Sequence, residues 1–549
     1  MDHHTPLRPR HRLVTHEVSN QPTELFDFNA FATDAPLVEA LAREGGDWGA
    51  GRCDAYGRIA GGELLRLGFA ANEHPPRLVS FDRFGGRIDE VDFHPAYHRC
   101  MALAREHELH SLTWTQERPG AQVVRSALCY LHNQYEAGTA CPTTMTHAAV
   151  PVLRHAPALA PAWLPGVLSS EYDPDCRPPG EKRGLSIGMG MTEKQGGSDV
   201  RANTTRAVAT GDDRHHLTGH KWFFSAPMSD AFIVLAQEDD EGLSCFLLPR
   251  WRSDGQRNAI NVMQLKDKLG DRANASSEVE FVDAEAHRIG VPGRGVATII
   301  EMVGQTRLDC MLGSAGLMRA ALVQAIHHSR ARHVFGAALV DQPLQQRVLA
   351  DLALESEAAI ALAMRMARAF EGGDEHEQQL ARLATPIGKY WICRSAPAFV
   401  NEAQECLGGA GYVETGLMPR LFRQSPLNSI WEGAGNVQCL DMLRALARSP
   451  ASRDALLAEL DAARGLNRHF DTHCDRLARS FDDAAALPAA ARAMAEDAAK
   501  ALQAAILLRA DADWVGALFC DTRLAGPGSR AYGVADCGDR AADLIARAF

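Results

Sequence analysis

The chain has 549 residues, 46% of them apolar and 23% charged, which is the composition of a globular protein with core material for about two to four domains. No 18-residue apolar run occurs, so a membrane-spanning helix is excluded. A net charge of −12 argues against a globally basic nucleic-acid binder and leaves room only for a local patch.

Met1 to Pro22 is polar, rich in His and Arg and without an apolar core. It is not a secretory signal, and it predicts a flexible arm or a segment draped on the surface. Residues 23–183 predict a helical domain. Phe31 to Arg43, His94 to His107, Ala121 to Ala137 and Thr144 to Leu153 carry apolar residues at helical spacing. Cys141-Pro142 predicts a chain break before Met145. From 184 to 290 the pattern turns to short β runs: Phe232 to Ala236, Ser244 to Leu248 and Glu278 to Val282. His215 to Ser225 predicts a hairpin turned at Gly219. Residues 291–440 predict a helical bundle. Its long apolar-periodic stretches are Val296 to Ala331, Gln345 to Phe370 and Arg382 to Leu407, with Pro386 and Pro397 expected to kink or split the last. Residues 441–549 predict an alanine- and arginine-rich helical domain built on Ala451 to Arg464, Arg468 to Phe481 and Pro488 to Ala510. The fold class is therefore α+β, mostly α.

The 13 cysteines are scattered without a Cys-x-x-Cys pair, which points to reduced thiols and a cytoplasmic setting. Among the 22 histidines, the adjacent pairs His3-His4, His215-His216 and His327-His328 point apart on a helix or strand, so no metal site is expected.

Chemistry concentrates in three blocks. In Gly188-Met189-Gly190-Met191-Thr192-Glu193-Lys194-Gln195-Gly196-Gly197-Ser198-Asp199, four glycines let the backbone turn closely. Exposed N–H groups and the hydroxyls of Thr192 and Ser198 make such a loop a cradle for electron-rich oxygens and ring nitrogens. A glycine-rich surface turn is the plainer reading of this block alone. The second block is Gly219-His220-Lys221-Trp222-Phe223-Phe224-Ser225, and the third is Ile430-Trp431-Glu432-Gly433-Ala434-Gly435-Asn436. In this order the three blocks resemble the acyl-CoA dehydrogenase family of flavoproteins. The wording of Met191 to Val200, His220 to Ser225 and Ser429 to Gly433 is similar to the branch associated with the adaptive response to DNA alkylation.

The resemblance implies a helical domain, a β-barrel-like domain and a helical bundle, with FAD as cofactor. Glu432 falls where the family places its catalytic base, and Arg307 matches an arginine kept near that carboxylate. An aromatic and a glycine beside Glu432 would partly desolvate it and raise its pKa. The implied cofactor set is Met189, Met191, Thr192, Gly197, Ser198, Phe223, Phe224, Ser225, Ile430, Trp431 and Asn436. It also includes Arg332 and Phe335, in an Arg-x-x-Phe-Gly match, and Gly408 and Gly409. In the family the Arg and Phe come from a neighbouring subunit to hold pyrophosphate and adenine, which implies a homo-oligomer, most simply a tetramer. Departures are Gly304 for an acidic residue, Glu405 for Gln, Trp431 for Tyr and Ala434 for Thr. The larger Trp431 narrows the expected acyl pocket.

Arg444 follows Glu432 by twelve residues. In the alkylation-response branch an arginine here points into the active-site cavity; a surface arginine paired with Asp441 is the alternative. Between 441 and 549 stand 13 arginines and one lysine against 16 acidic residues, a net of −2. Arginine suits phosphate forks, and Arg464, Arg468, Arg476 and Arg479 would share a face in a continuous helix. The resemblance implies double-stranded DNA as a partner of this segment, held mainly through phosphates. Solvated helix faces are the alternative. The function implied is an FAD protein of the alkylation response that binds duplex DNA and protects it or deactivates alkylating compounds. Its acyl-CoA dehydrogenase activity, of isovaleryl type, would be at most weak. A genuine short or branched-chain acyl-CoA dehydrogenase and a DNA-coating scaffold with a structural flavin are the competing readings.

Overall fold

A computed structural model describes residues 11–211, 213–481, 487–526, 528–529 and 531–549. The chain forms two compact units. Leu67–Arg125 and Glu136–Asp309 make one; the remainder, including Ser126–Tyr135 and Cys310–Phe549, makes the other. No described helix is long and apolar enough to cross a membrane.

The first unit is built round a seven-stranded sheet. Strand Ala231–Glu238 pairs with Arg206–Gly211, which pairs with Arg214–Ser225, then Ser276–Ile289, then Gly242–Pro249, and this last strand pairs back onto Ala231–Glu238. The ring is closed, so these strands expose no free edge between them. Ile187–Gly190 adds in parallel to Ala231–Glu238, and Ile260–Leu265 adds to Ser276–Ile289. Side-chain alternation sorts Ala231–Glu238 between two cores. Phe232 and Val234 join Phe224, Phe246, Leu248 and Phe281 inside the ring. Ile233 and Leu235 face outward, in a cluster with Met145, Ala149, Val152, Trp163 and Val167 of helices Ala140–Arg154 and Ala160–Leu168. Each such side chain contributes about 1.5–3 kcal/mol by leaving water.

Two local expectations are corrected here. Residues 215–225 are not a hairpin: Arg214–Ser225 is one strand, and the register shifts at Gly219, whose φ of 156° accommodates a bulge. Nor does Cys141-Pro142 break the chain. Pro142 lies in the first turn of Ala140–Arg154, where its missing N–H has no intrahelical partner to lose.

Beneath the outer cluster runs a buried polar network. Arg125 grips Asp309 with both guanidinium nitrogens, and Thr144 Oγ1 donates to Asp309 at 2.6 Å. Burial pushes the Asp309 carboxyl up, but Arg125 outweighs it and the group stays below its usual range. His147 is wholly buried, so desolvation pushes its pKa down to about 3 and the imidazole is neutral.

The second unit is helical. Pro343–Ala369 and Glu375–Glu405 are its longest complete helices. Pro386 and Pro397 lie inside Glu375–Glu405 without splitting it, because Leu383, Ile387, Phe399 and Val400 are buried on either side and hold the axis. The C-terminal stretch forms helices Pro450–Asp461, Arg468–Ser480, Leu487–Leu508, Asp513–Arg523 and Ala541–Ala548. Small side chains let Leu487–Leu508 pack closely, with Ala495, Ala498, Ala501 and Ala505 fully buried.

Arginines of this stretch are anchors. Arg509 joins Arg365 on the buried carboxylate of Glu459. Arg523 binds Asp351 and Glu355, and Arg547 binds Glu39 and Glu357. The expected one-face stripe does not form. The helix stops at Asp461, Gly465 turns with φ 83°, and a new helix starts at Arg468. Arg464 is bound to Asp475 at 2.8 Å and Arg476 to Asp497 at 3.3 Å. Arg444, Arg468 and Arg479 remain exposed. Asp441, the expected partner of Arg444, accepts from Arg382 at 2.9 Å.

Candidate active site

On the first unit, the loop after Ile187–Gly190 is organised by a carboxylate that plays no part in the expected chemistry. Glu193 is fully buried and accepts from Lys221 Nζ at 2.8 Å, Thr205 Oγ1 at 2.6 Å, and the Thr204 and Thr205 amides at 2.7 and 3.2 Å. Burial opposes the charge, but Lys221 and these donors outweigh it, and the carboxyl is held at about 2. Lys221 Nζ, equally buried, also donates to Leu235 O at 2.9 Å. Trp222 N donates to Thr192 O at 2.9 Å, stitching loop to strand. Gly197 passes close over Thr192: a Cβ there would stand 2.5 Å from Thr192 Oγ1. Ser198 is exposed and Thr192 half-buried.

A second bulge, between Lys221 and Phe224, breaks the alternation so that Lys221 and Phe224 both point inward. Phe223 is 51% exposed and Ser225 half-buried, while Phe224 is barrel core, 4.3 Å from Phe232 between ring centroids. Met189 is likewise a core side chain, and Met191 packs against the same outer cluster. What Met189 and Phe224 can offer a ligand is backbone alone. Arg307 is buried on the long helix Gly295–Ala331. Loop and strand therefore present hydroxyls, a close glycine approach and the half-exposed Phe223 ring, which has the Lys266 ammonium 4.7 Å from its centroid, a set that fits a flavin.

On the second unit, Glu432 sits in the left-handed region with φ 56°, followed by Gly433 at 95°. A non-glycine residue held there is strained and persists only where its surroundings over-determine it. The surroundings do so. Lys389 Nζ donates to the carbonyls of Trp431 and Gly433, both at 2.7 Å. Gln438 Nε2 donates to those of Glu432 at 2.9 Å and Gly433 at 2.8 Å. Trp431 Nε1 donates to Asn428 Oδ1 at 2.9 Å. The turn fixes the backbone of a half-buried glutamate, and a held position is what a base that takes a proton from carbon requires. Ile430 and Asn436 are exposed beside it, and Arg492 Nε donates to Asn436 Oδ1 at 2.8 Å.

Arg332 donates to Asn20 O at 2.7 Å, so part of the N-terminal segment is draped on the unit. Phe335 is 98% exposed with φ 53°. Gly408 and Gly409 lie open to solvent, and Gln404 Nε2 ties the turn through Gly411 O at 2.7 Å. Lys221, Lys389, Gln438 and Arg492 lie outside the set that the family resemblance implies. The available signal was a lysine at an inward strand position and another within an apolar helix, each of which demands a partner.

A closed barrel carrying a glycine-rich flavin-type loop, together with a helical unit that holds a strained glutamate, defines a class. The chain belongs to the acyl-CoA dehydrogenase family. Residues 20–174 match the adaptive response protein AidB N-terminal domain, 188–284 the acyl-CoA dehydrogenase middle domain and 293–447 its C-terminal domain. The chain is 49% identical over 467 residues to the AidB protein of Escherichia coli (strain K12), covering 84% of this chain and 86% of that one. Its fold matches Caenorhabditis elegans ACDH-11 in complex with C11-CoA at TM-score 0.85 and 26% identity, covering 94% and 95% of the two chains. It also matches the Bd2924 apo-form at 0.82 and 29%, covering 90% and 99%. Members of this family are FAD-dependent, and the chain is an oxidoreductase of the class acting on CH–CH groups.

Proposed function

We propose that the protein is an AidB-type flavoprotein of the alkylation response, which binds duplex DNA and protects it or deactivates alkylating compounds near it. The observation that carries this reading is the 49% identity to AidB, shared over most of both chains. Thr192, Gly197, Ser198, Phe223 and Ser225 of the first unit are cofactor-holding residues in this reading, as are Ile430, Trp431, Asn436, Gly408 and Gly409 of the second. Arg332 and Phe335 serve a partner subunit in a homotetramer, which accounts for a phenylalanine left bare to solvent. FAD supplies a hydride acceptor; Glu432 takes the α proton of a thioester, and Arg307 is its assisting cation. Exposed Arg444, Arg468 and Arg479 support phosphate contacts. The cytoplasm is the proposed location.

A genuine acyl-CoA dehydrogenase is the second reading, favoured by the likeness to a protein solved with C11-CoA. Anaerobic titration of the yellow protein with a series of acyl-CoAs separates the two. Slow or absent bleaching supports the first; rapid bleaching that disappears in Glu432→Gln establishes the second. DNA binding is tested by gel shift over a salt series, with Arg444, Arg468 and Arg479 changed together to Gln. Removing residues 441–549 would unfold the unit they anchor. Unchanged binding by the triple variant refutes the DNA assignment.

A further inference from the structure

The turn that carries Glu432 leads into a small recess of the second unit, about 40 Å³ and open to solvent. Three of its lining side chains are cations: Lys389, Arg394 and Arg492. Among the described residues no carboxylate lines it and none pairs with these three. Glu496, one turn beyond Arg492, is tied to Lys500 at 2.6 Å. Lys389 is the telling member. The residue is 1% exposed and its ammonium donates to two neutral carbonyls, so among the described residues its charge is buried without a counter-ion. Such a charge is costly unless an anion stands near it.

The recess also receives the start of helix Gly435–Arg448. That helix has Ala434 at its N-cap and no side-chain cap, so the donors of its first turn have no side-chain acceptor. Gly435 lines the recess, and its Cα side approaches the Tyr390 ring. The partial positive charge of a helix start adds to the three cations. A second, independent mark is Gln438. It is fully buried, its Nε2 is committed to two carbonyls of the turn, and its Oε1 finds no donor. A ligand that brings negative oxygens would satisfy the helix start and the cations, and one that also keeps an O–H, as hydrogen phosphate does, would satisfy this acceptor too.

The geometry points to a phosphate-binding pocket formed by Lys389, Arg394, Gln438 and the start of Gly435–Arg448, and completed by Arg492 from the C-terminal stretch. Two sources of that chemistry exist: the diphosphate of the FAD proposed above, and a free inorganic phosphate or pyrophosphate. Only the first rests on the FAD reading. Arg492 already holds Asn436 through Nε, which leaves its two terminal nitrogens for a phosphate.

The test titrates inorganic pyrophosphate into the full-length tetramer-competent protein, FAD-stripped and FAD-loaded, by isothermal calorimetry. Wild type, Arg492→Gln, Arg394→Gln and Arg492→Lys are compared. Both arginines are exposed, so the variants should melt with the wild type when no ligand is added. Binding to the stripped wild type, weakened roughly tenfold in either Gln variant and partly restored in Arg492→Lys, is the expected result. If loading with FAD abolishes it, the pocket holds the cofactor's diphosphate; if binding persists, the pocket takes free phosphate. Equal affinities in wild type and both Gln variants, or no binding to the stripped protein, overturns the pocket. A protein that takes up no FAD refutes the flavin reading separately, and the titration of the stripped form still stands.

Discussion

Replacing Glu193 by Gln removes one charge from a pair that is fully buried on both sides. The amide keeps the shape and some of the hydrogen bonds, but Lys221 is left with Leu235 O and no anion. The fall of the carboxyl from 4.5 to about 2 corresponds, at about 1.4 kcal/mol for each tenfold change, to roughly 3 kcal/mol of folded-state preference for the charge. Stranding one member of a buried pair costs about 3–5 kcal/mol in general, so two separate routes agree. For a unit of this size that is a fall in Tm of roughly 6–12 °C. Differential scanning calorimetry at fixed protein concentration measures it. The sign in pH follows from a depressed folded-state pKa. The contribution is complete above about pH 4.5 and is lost as pH falls toward 2, so the gap between wild type and Glu193→Gln narrows in acid. Glu193→Gln combined with Lys221→Met removes both charges and recovers most of the loss. A single variant that melts within about 2 °C of the wild type, or a double variant no better than the single, would show that the pair does not organise the loop.

Lys389→Met withdraws a donor from the carbonyls of both Trp431 and Gly433, while Gln438 still serves Gly433. We expect about 2–4 kcal/mol of destabilisation and, in the FAD-saturated protein, a slower reduction of the flavin by acyl-CoA, measured by stopped-flow. Gly197→Ala places a Cβ against Thr192 Oγ1 in an exposed loop, so melting temperature holds while FAD affinity falls roughly tenfold by fluorescence titration. Arg523→Gln strands Asp351 and Glu355, both buried, and should cost about 3–5 kcal/mol by urea midpoint without changing DNA affinity below the transition. Arg468→Gln with Arg479→Gln should do the reverse, lowering DNA affinity and flattening its salt slope by about two while leaving the midpoint in place.

The contrast between these arginines shows where inference from the chain alone stops. Glycine-rich stretches are legible because glycine's role is local: Gly197 must pass Thr192, only five residues away, whatever the rest of the fold does. Apolar spacing places the first helix from Phe31, whereas it starts at Ala35 because the Asp34 side chain accepts from Leu37 N and caps it; the end at Arg43 is as expected. An arginine carries no such local instruction. Arg464 and Arg468 are four apart, yet a left-handed Gly465 separates their helices, one guanidinium is bound to Asp475 and the other side chain is exposed. Arg547 meets Glu39 across almost the whole sequence. Composition counts all of them alike, so a net of −2 with many arginines fits a phosphate-binding face and a ring of internal anchors equally well. Strand alternation fails for a related reason at residues 221–224, where one extra residue in the register places Lys221 and Phe224 on the same side. The inward lysine is what betrays the bulge: a cation in a barrel wall must have a buried anion, and that anion is Glu193, in the glycine loop itself. Loop and strand are therefore one device, with the ion pair setting the height at which Thr192, Phe223 and Ser225 meet whatever binds there.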